Sequence, residues 1–242
     1  LDEMSSPANT AVTTDKPRRQ GNDSNTNKAF ACIADAKVPL CYLGGGIINA
    51  NAAYEVREFV KMTGIPAVET FMARGTLHHE DPLLISMLGM HGSYAANMAM
   101  SETDLVIALG ARFDDRVTGK LSEFAKHAGV IHVDIDPASI SKLVDADYPI
   151  VGDVKGVGIE MMELGKEKVD SEVYTPWLET VEHFDKLHPL KYFEDTDRLK
   201  PQWCIERVGE ILGDDANIST DVGQHQMWTA QFYPFSRPRQ FI

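Results

Sequence analysis

Apolar residues recur along this chain in two alternating patterns. One is the short continuous run of a strand buried on both faces; the other is the three-to-four spacing of an amphipathic helix. Runs of the first kind cover residues 38–43, 67–71, 105–109, 130–135 and 148–151. Helix patterns lie between them. Residues 29–36 place Phe30, Ile33 and Ala34 on one side. Residues 51–63 carry the stripe Ala52, Val56, Phe59 and Val60 behind Asn51, the predicted N-cap, with Gly64 and Pro66 as the stop. Further helices are predicted over 94–100, over 121–127, from the Asp136-Pro137 pair to Val144, and over 154–164. Strands alternating with helices at this spacing predict an α/β fold built on a doubly wound parallel sheet. Right-handed crossovers then bring every strand-end turn to one edge.

The pattern changes at both ends. Residues 1–28 are polar and without periodicity, and read as a disordered or linker segment whose Lys16, Arg18 and Arg19 are solvated charges. Residues 29–165 form the predicted central domain. Residues 166–200 are charged and read as a linker with a surface helix carrying Trp177 and Phe184. Over 201–242 a helix (203–212) and a strand (217–222) running into Gly223, Gln224 and His225 read as the truncated start of a second α/β domain, too small for a core of its own.

Charge narrows the functional classes. A formal net charge of −13 argues against general nucleic-acid binding, so an anionic ligand must be held by local amides and a few placed cations. The three cysteines are far apart, without CxxC spacing, and read as small apolar residues in a reducing compartment. No apolar run reaches membrane-span length and no signal pattern opens the chain. Opening on Leu1, the chain reads as a piece of a longer or processed protein.

Candidate chemistry gathers at the strand ends. Gly44, Gly45 and Gly46 follow one strand, and their free amides could cradle a diphosphate, or simply allow a tight turn; the GxGxxG fingerprint is absent. Asp134 and Asp136 end another strand, where a carboxylate can accept from ribose or ribityl hydroxyls or cap the next helix. Gly152 and Asp153 repeat that arrangement. The densest stretch is residues 88–116, LGMHGSYAANMAMSETDLVIALGARFDDR. Here Arg112, Asp114, Asp115 and Arg116 directly follow a buried strand, as ligand groups or as a surface ion-pair network. Arg116, with its planar fork, suits a small carboxylate. His91 touches ligand or serves as a structural histidine. His78, His79, Glu80 and Asp81 form a polar loop expected to lack chelating geometry, so no metal site is predicted.

Together, LGGGIINANAA, the 88–116 stretch continuing into VTGKL, HVDIDPASISK, PIVGD and STDVGQHQMW closely resemble acetohydroxyacid (acetolactate) synthase, large subunit, over roughly residues 37–242. The resemblance implies a central FAD-binding domain followed by the opening of a thiamine-diphosphate-binding domain. FAD contacts would fall on Gly44, Gly45, Gly46, Thr70, Met72, Leu88, Gly89, Met90, His91, Gly110, Ala111, Arg112, Asp114, Asp134, Ile135, Asp136, Gly152 and Asp153. Arg116 would receive the carboxylate of the second 2-ketoacid, with Asp115 orienting it, and Gly223, Gln224 and His225 would meet thiamine diphosphate.

The implied reaction decarboxylates pyruvate on thiamine diphosphate and joins the two-carbon unit to pyruvate or 2-ketobutyrate, in valine, leucine and isoleucine synthesis. FAD takes no net redox part. The activating glutamate and the Mg2+ ligands of the family are not found in this sequence, so the chain alone is expected to be inactive. The resemblance further implies a homo-oligomer, dimer or tetramer, with a regulatory small subunit as a further partner. Cytoplasm is the default location, with plastid or mitochondrion left open. The alternatives are another thiamine-dependent 2-ketoacid decarboxylase or oxidase, and a catalytically silent nucleotide-binding module.

Overall fold

The continuous apolar runs become strands because both of their faces are covered. In a computed structural model, which describes residues 23–165, 171–193 and 197–242, the strands are β1 (Pro39–Leu43), β2 (Ala67–Glu69), β3 (Leu84–Met87), β4 (Leu105–Leu109), β5 (Gly129–Asp134) and β6 (Tyr148–Val151). All are parallel, in the order β3-β2-β1-β4-β5-β6, which is the expected doubly wound sheet. The helices are α1 (Asp23–Asp35), α2 (Gly45–Asn49), α3 (Ala53–Thr63), α4 (Tyr94–Glu102), α5 (Asp115–Thr118), α6 (Val154–Gly165), α7 (Thr175–Leu187), α8 (Pro201–Leu212) and α9 (Gln224–Phe232). Among the described residues no helix is long and apolar enough to cross a membrane.

Strand alternation sorts the core into two layers. Cys41, Leu43, Ile107, Leu109, Ile131 and Val133 face α1, α3 and α6, meeting Phe30, Ile33, Val56, Phe59, Val157 and Met161. Leu40, Tyr42, Val106, Ala108 and Val130 face α4 and α7, meeting Ala96, Ala99, Met100, Trp177 and Val181. Each fully buried large side chain contributes about 1.5–3 kcal/mol by removal from water.

Several local expectations are corrected. Trp177 is not on a surface helix: it is buried, and its indole N–H donates to the carbonyl of Pro39 at 2.9 Å, so α7 is a wall of the core, with Phe184 packed behind. Asn51 does not cap α3; it takes φ 53°, and Ala52 holds the N-cap position without a side-chain bond. No helix follows Asp136: residues 136–147 run through turns, with Ser141 at φ 55° breaking any helical path. The predicted helix 121–127 shrinks to a 3-10 turn at Leu121–Glu123, with Ala125 at φ 42° beyond it. The strand predicted over 67–71 stops at Glu69, and Thr70 starts a second such turn at Phe71–Ala73.

β3 was not predicted. It is an edge strand, only partly buried over three of its four residues, so its four-residue run carries little pattern. Conversely, 217–222 makes no strand: Ile218 forms only an isolated bridge with Phe241. Of the expected linker 1–28, residues 1–22 lie outside the described residues, while 23–28 form the first turns of α1, with Thr26 buried.

Candidate functional site

Strand order reverses between β1 and β4, so the segments leaving these neighbours diverge to opposite faces and open a crevice at the carboxyl edge of the sheet. A cleft of about 790 Å3 lies there, lined by residues that follow all six strands.

The three glycines after β1 shape it by close approach. The Gly44 N–H donates to the Leu109 carbonyl at 3.0 Å and the Gly46 N–H to the Gly110 carbonyl at 2.9 Å. A Cβ on Gly44 would overlap the Gly110 backbone, and one on Gly46 would lie 2.7 Å from the Gly110 Cα. Gly110 itself sits at φ 59°. Two of the three amides expected to face a diphosphate are therefore bound to the β4 segment, and their glycines are required by backbone contact.

The two halves of the 88–116 stretch are joined. Met90 N–H donates to the carbonyl of Arg116 at 2.9 Å. Asn97 of α4 secures the 88–92 turn: its Oδ1 accepts from Gly89 N–H at 3.2 Å, and its Nδ2 donates to the carbonyls of Gly89 at 3.1 Å and Ser93 at 2.9 Å. Ser93 caps α4 by accepting from Ala96 N–H at 3.1 Å. On the other half, Asp114 caps α5, its Oδ1 accepting from Arg116 N–H at 3.0 Å.

Arg112, Asp114, Asp115 and Arg116 are all exposed, and among the described residues none of them forms an ion pair. This sets aside the ion-pair network as the reason for the cluster. Arg112, Asp114 and Arg116 line the cleft; Asp115 does not.

Behind the β4 turn stands His132 of β5. Its Nε2 lies 3.0 Å from the Ala111 carbonyl, its ring meets Phe113 edge-on, and its buried Nδ1 has no partner. Burial holds the imidazole below its ordinary pKa, against the Ala111 bond and Asp134, so it is neutral, and with no acceptor other than Ala111 it carries its proton on Nε2. The loop after β2 is fixed by Glu69, whose carboxylate accepts from the Arg74 guanidinium at 3.0 Å and from Leu77 N–H at 2.9 Å. Burial pushes that carboxyl up, against the pull of Arg74.

The cleft thus brings together Gly45, Gly46, Thr70, Met72, Leu88, Met90, His91, Gly110, Arg112, Asp114, Arg116, Asp134, Ile135, Asp136 and Asp153. Gly44, Gly89, Ala111, Asp115 and Gly152 do not line it, and neither do Gly223, Gln224 and His225. Those last three stand at the start of α9, with Gln224 and His225 exposed. α9 touches the site through Gln231 Nε2, which donates to the His91 carbonyl at 2.8 Å.

Asp134 Oδ1 accepts from Asp136 N–H and Asp136 Oδ1 from Ala138 N–H, each at 2.9 Å, while Asp153 Oδ1 accepts from Lys155 N–H at 2.8 Å. Each carboxylate is held by one oxygen at its strand end. Sequence reasoning missed Asn97 and His132. Asn97 was legible as a polar residue four positions into a Ser-capped helix, whereas nothing local marks His132 apart from its place in an apolar run.

Chemically, the cleft offers two guanidiniums without carboxylate partners among the described residues, four carboxylates, and an apolar rim. Met72, Met90 and Ile135 are 63%, 64% and 58% exposed there. The buried Thr70 hydroxyl on its wall has no partner. Such a surface suits an elongated ligand with a flat apolar ring, hydroxyls and phosphates.

The family model described as thiamine pyrophosphate enzyme, central domain, matches residues 26–162. The chain belongs to this family. It is 45% identical to acetolactate synthase of Mycobacterium leprae over 233 residues, covering 94% of this chain and 37% of that protein. It is 40% identical to the acetolactate synthase large subunit of Buchnera aphidicola subsp. Schizaphis graminum, covering 98% and 41%. With acetolactate synthase isozyme 3 large subunit of Escherichia coli the identity is 37%, covering 98% and 42%. The chain spans about two fifths of the length of these curated relatives.

Proposed function

We propose that this protein is an acetolactate synthase large subunit whose central-domain cleft holds FAD and whose Arg116 receives a 2-ketoacid. The observation that carries this reading is the convergence in one cleft of Arg112, Arg116, four strand-end aspartates and the exposed Met72–Met90–Ile135 rim. The cleft fits FAD. Arg112 suits its diphosphate, Asp134, Asp136 and Asp153 have free oxygens for its hydroxyls, Thr70 supplies an unpartnered hydroxyl, and the apolar rim suits its ring system. The family and the relatives' names support thiamine diphosphate as the second cofactor.

When bound, thiamine diphosphate supplies the electron sink for decarboxylation and carbon–carbon bond formation. The chain's own residues orient and shield. Arg116 has a fixed backbone, held by Met90 and Asp114, and a free fork that can take the carboxylate of pyruvate or 2-ketobutyrate bidentately. The exposed methionines exclude water once a ring lies over them. Gly223, Gln224 and His225 would meet the thiamine diphosphate at the start of α9, with Mg2+ as its companion ion. The product would feed branched-chain amino-acid synthesis in the cytoplasm, and the "large subunit" in relatives' names supports a small regulatory partner on a homo-oligomer.

The test is a chimera in which residues 26–242 replace the matching segment of a relative. Retained FAD and retained acetolactate formation support the proposal. A chimera that keeps FAD but forms no acetolactate contradicts it.

A further inference from the structure

Away from the cleft, the loop between β2 and β3 carries three consecutive potential metal ligands, His78, His79 and Glu80. The sequence alone suggests a loop without chelating geometry, whereas the fold brings the three side chains close together. One ligand atom from each residue lies within 4.8 Å of the other two. The loop is tied down from both sides: His79 N–H donates to the Phe235 carbonyl at 2.9 Å, and Asp81 N–H to the His78 carbonyl at 2.9 Å. The two imidazoles face each other with centroids 4.4 Å apart. His78 Nδ1 lies 4.0 Å from Glu80 Oε2. Two donors sharing a tetrahedral ion at about 2.0–2.1 Å stand roughly 3.3 Å apart, so closure shortens the separations by at most about 1.5 Å, within reach of side-chain rotation on an exposed loop.

The Nδ1 lone pair now accepts a 3.2 Å bond from Glu80 N–H. That bond lies at the long limit for N–H···O/N geometry, and a cation would replace it at small cost because the half-exposed loop lets water take up the freed amide. Asp214, at the end of α8, shares the wall of a neighbouring cavity with His79 and is within reach of it electrostatically.

We propose that His78, His79 and Glu80 form a binding site for a single divalent transition-metal ion of the zinc class. Two neutral imidazoles and a carboxylate make a borderline N,N,O set that selects zinc-like ions over Mg2+, which demands an octahedral oxygen shell. Water completes the fourth position. The ion would clamp the β2–β3 loop to the segment carrying Phe235, and the site is independent of the proposed cleft function.

The experiment uses the 242-residue chain stripped of metal and titrated with Co2+, read by its visible ligand-field absorption, and with Zn2+ by calorimetry. The expected result is one equivalent bound with a four-coordinate Co2+ spectrum, displaced by Zn2+ and unaffected by excess Mg2+. His78→Asn and Glu80→Gln, on an exposed loop where folding is retained by circular dichroism, should each weaken binding by more than the roughly tenfold that altering even an outer partner costs. His127→Asn, outside the loop, should bind as the unmodified chain does. Absence of stoichiometric binding, or equal affinity in the His78→Asn and Glu80→Gln variants, overturns the proposal.

Discussion

Met90 donates its backbone N–H to the carbonyl of Arg116 at 2.9 Å, so the turn after β3 and the turn after β4 form one unit. Gly89, at φ 103°, makes this possible: a Cβ there would lie 2.8 Å from the Arg116 carbonyl oxygen. The ligand-facing residues of both turns therefore move together, and whatever loosens one turn displaces the other.

Asn97 is the side chain that holds this unit to α4. Replacing Asn97 with Ala removes three hydrogen bonds around Gly89 and Ser93. Lost stability of about 1–3 kcal/mol is expected by denaturant titration, together with faster flavin loss from the chimera than any equally destabilising change on α7 produces.

Gly44 has no room for a side chain. Gly44→Ala should destabilise the fold by at least about 1–3 kcal/mol, because the methyl group meets the Gly110 backbone and not a movable side chain. Gly213→Ala is a useful contrast. Nothing lies within 4 Å of its added Cβ, so its cost, about 1–3 kcal/mol, comes only from the backbone at φ 65° and ψ −162°, a region essentially confined to glycine.

Parts of this were legible in the sequence and parts were not, for physical reasons. β4 and β5 are covered on both faces, so β4 reads as an uninterrupted apolar run and β5 as one broken only by His132 before its closing Asp134. Trp177 was misplaced because its partner, the Pro39 carbonyl, lies 138 positions away and leaves no trace in the charged residues around it. Asp136-Pro137 carries the local chemistry of a helix start. Its carboxylate instead closes a turn onto Ala138 N–H, and Ser141 leaves the helical region three residues on. The strand-end aspartates and arginines were visible because polar residues directly after buried runs are conspicuous. The close contact of Gly44 with Gly110 is a property of two chain segments side by side and appears only in the fold.

His132 gives the molecule a predictable pH response. Its folded pKa lies below the unfolded value near 6.5, because burial disfavours the imidazolium. In that window the unfolded chain binds more protons, so the stability from neutral His132 is complete above about pH 6.5 and is lost as pH falls through the folded pKa. Stability measured by urea unfolding should decline over that interval, and His132→Gln should flatten the decline. An unchanged slope in the variant would assign the effect to another group.

Arg116→Ala in the active chimera should leave FAD bound while raising KM for the second 2-ketoacid by about 10–100-fold, the loss of a charge-assisted bidentate contact. Loss of flavin as the main effect would place Arg116 in the cofactor site instead.

The most direct test of the cleft assignment is a fluorescence titration of FAD with the 242-residue chain and with Arg112→Ala. Arg112 is exposed, and among the described residues it forms no ion pair, so its removal leaves the fold intact. Saturable one-to-one quenching of the flavin, weakened about tenfold or more in Arg112→Ala, is the predicted result. No saturable binding by the folded chain, or identical affinity in the variant, would contradict a flavin cleft at the carboxyl edge of this sheet.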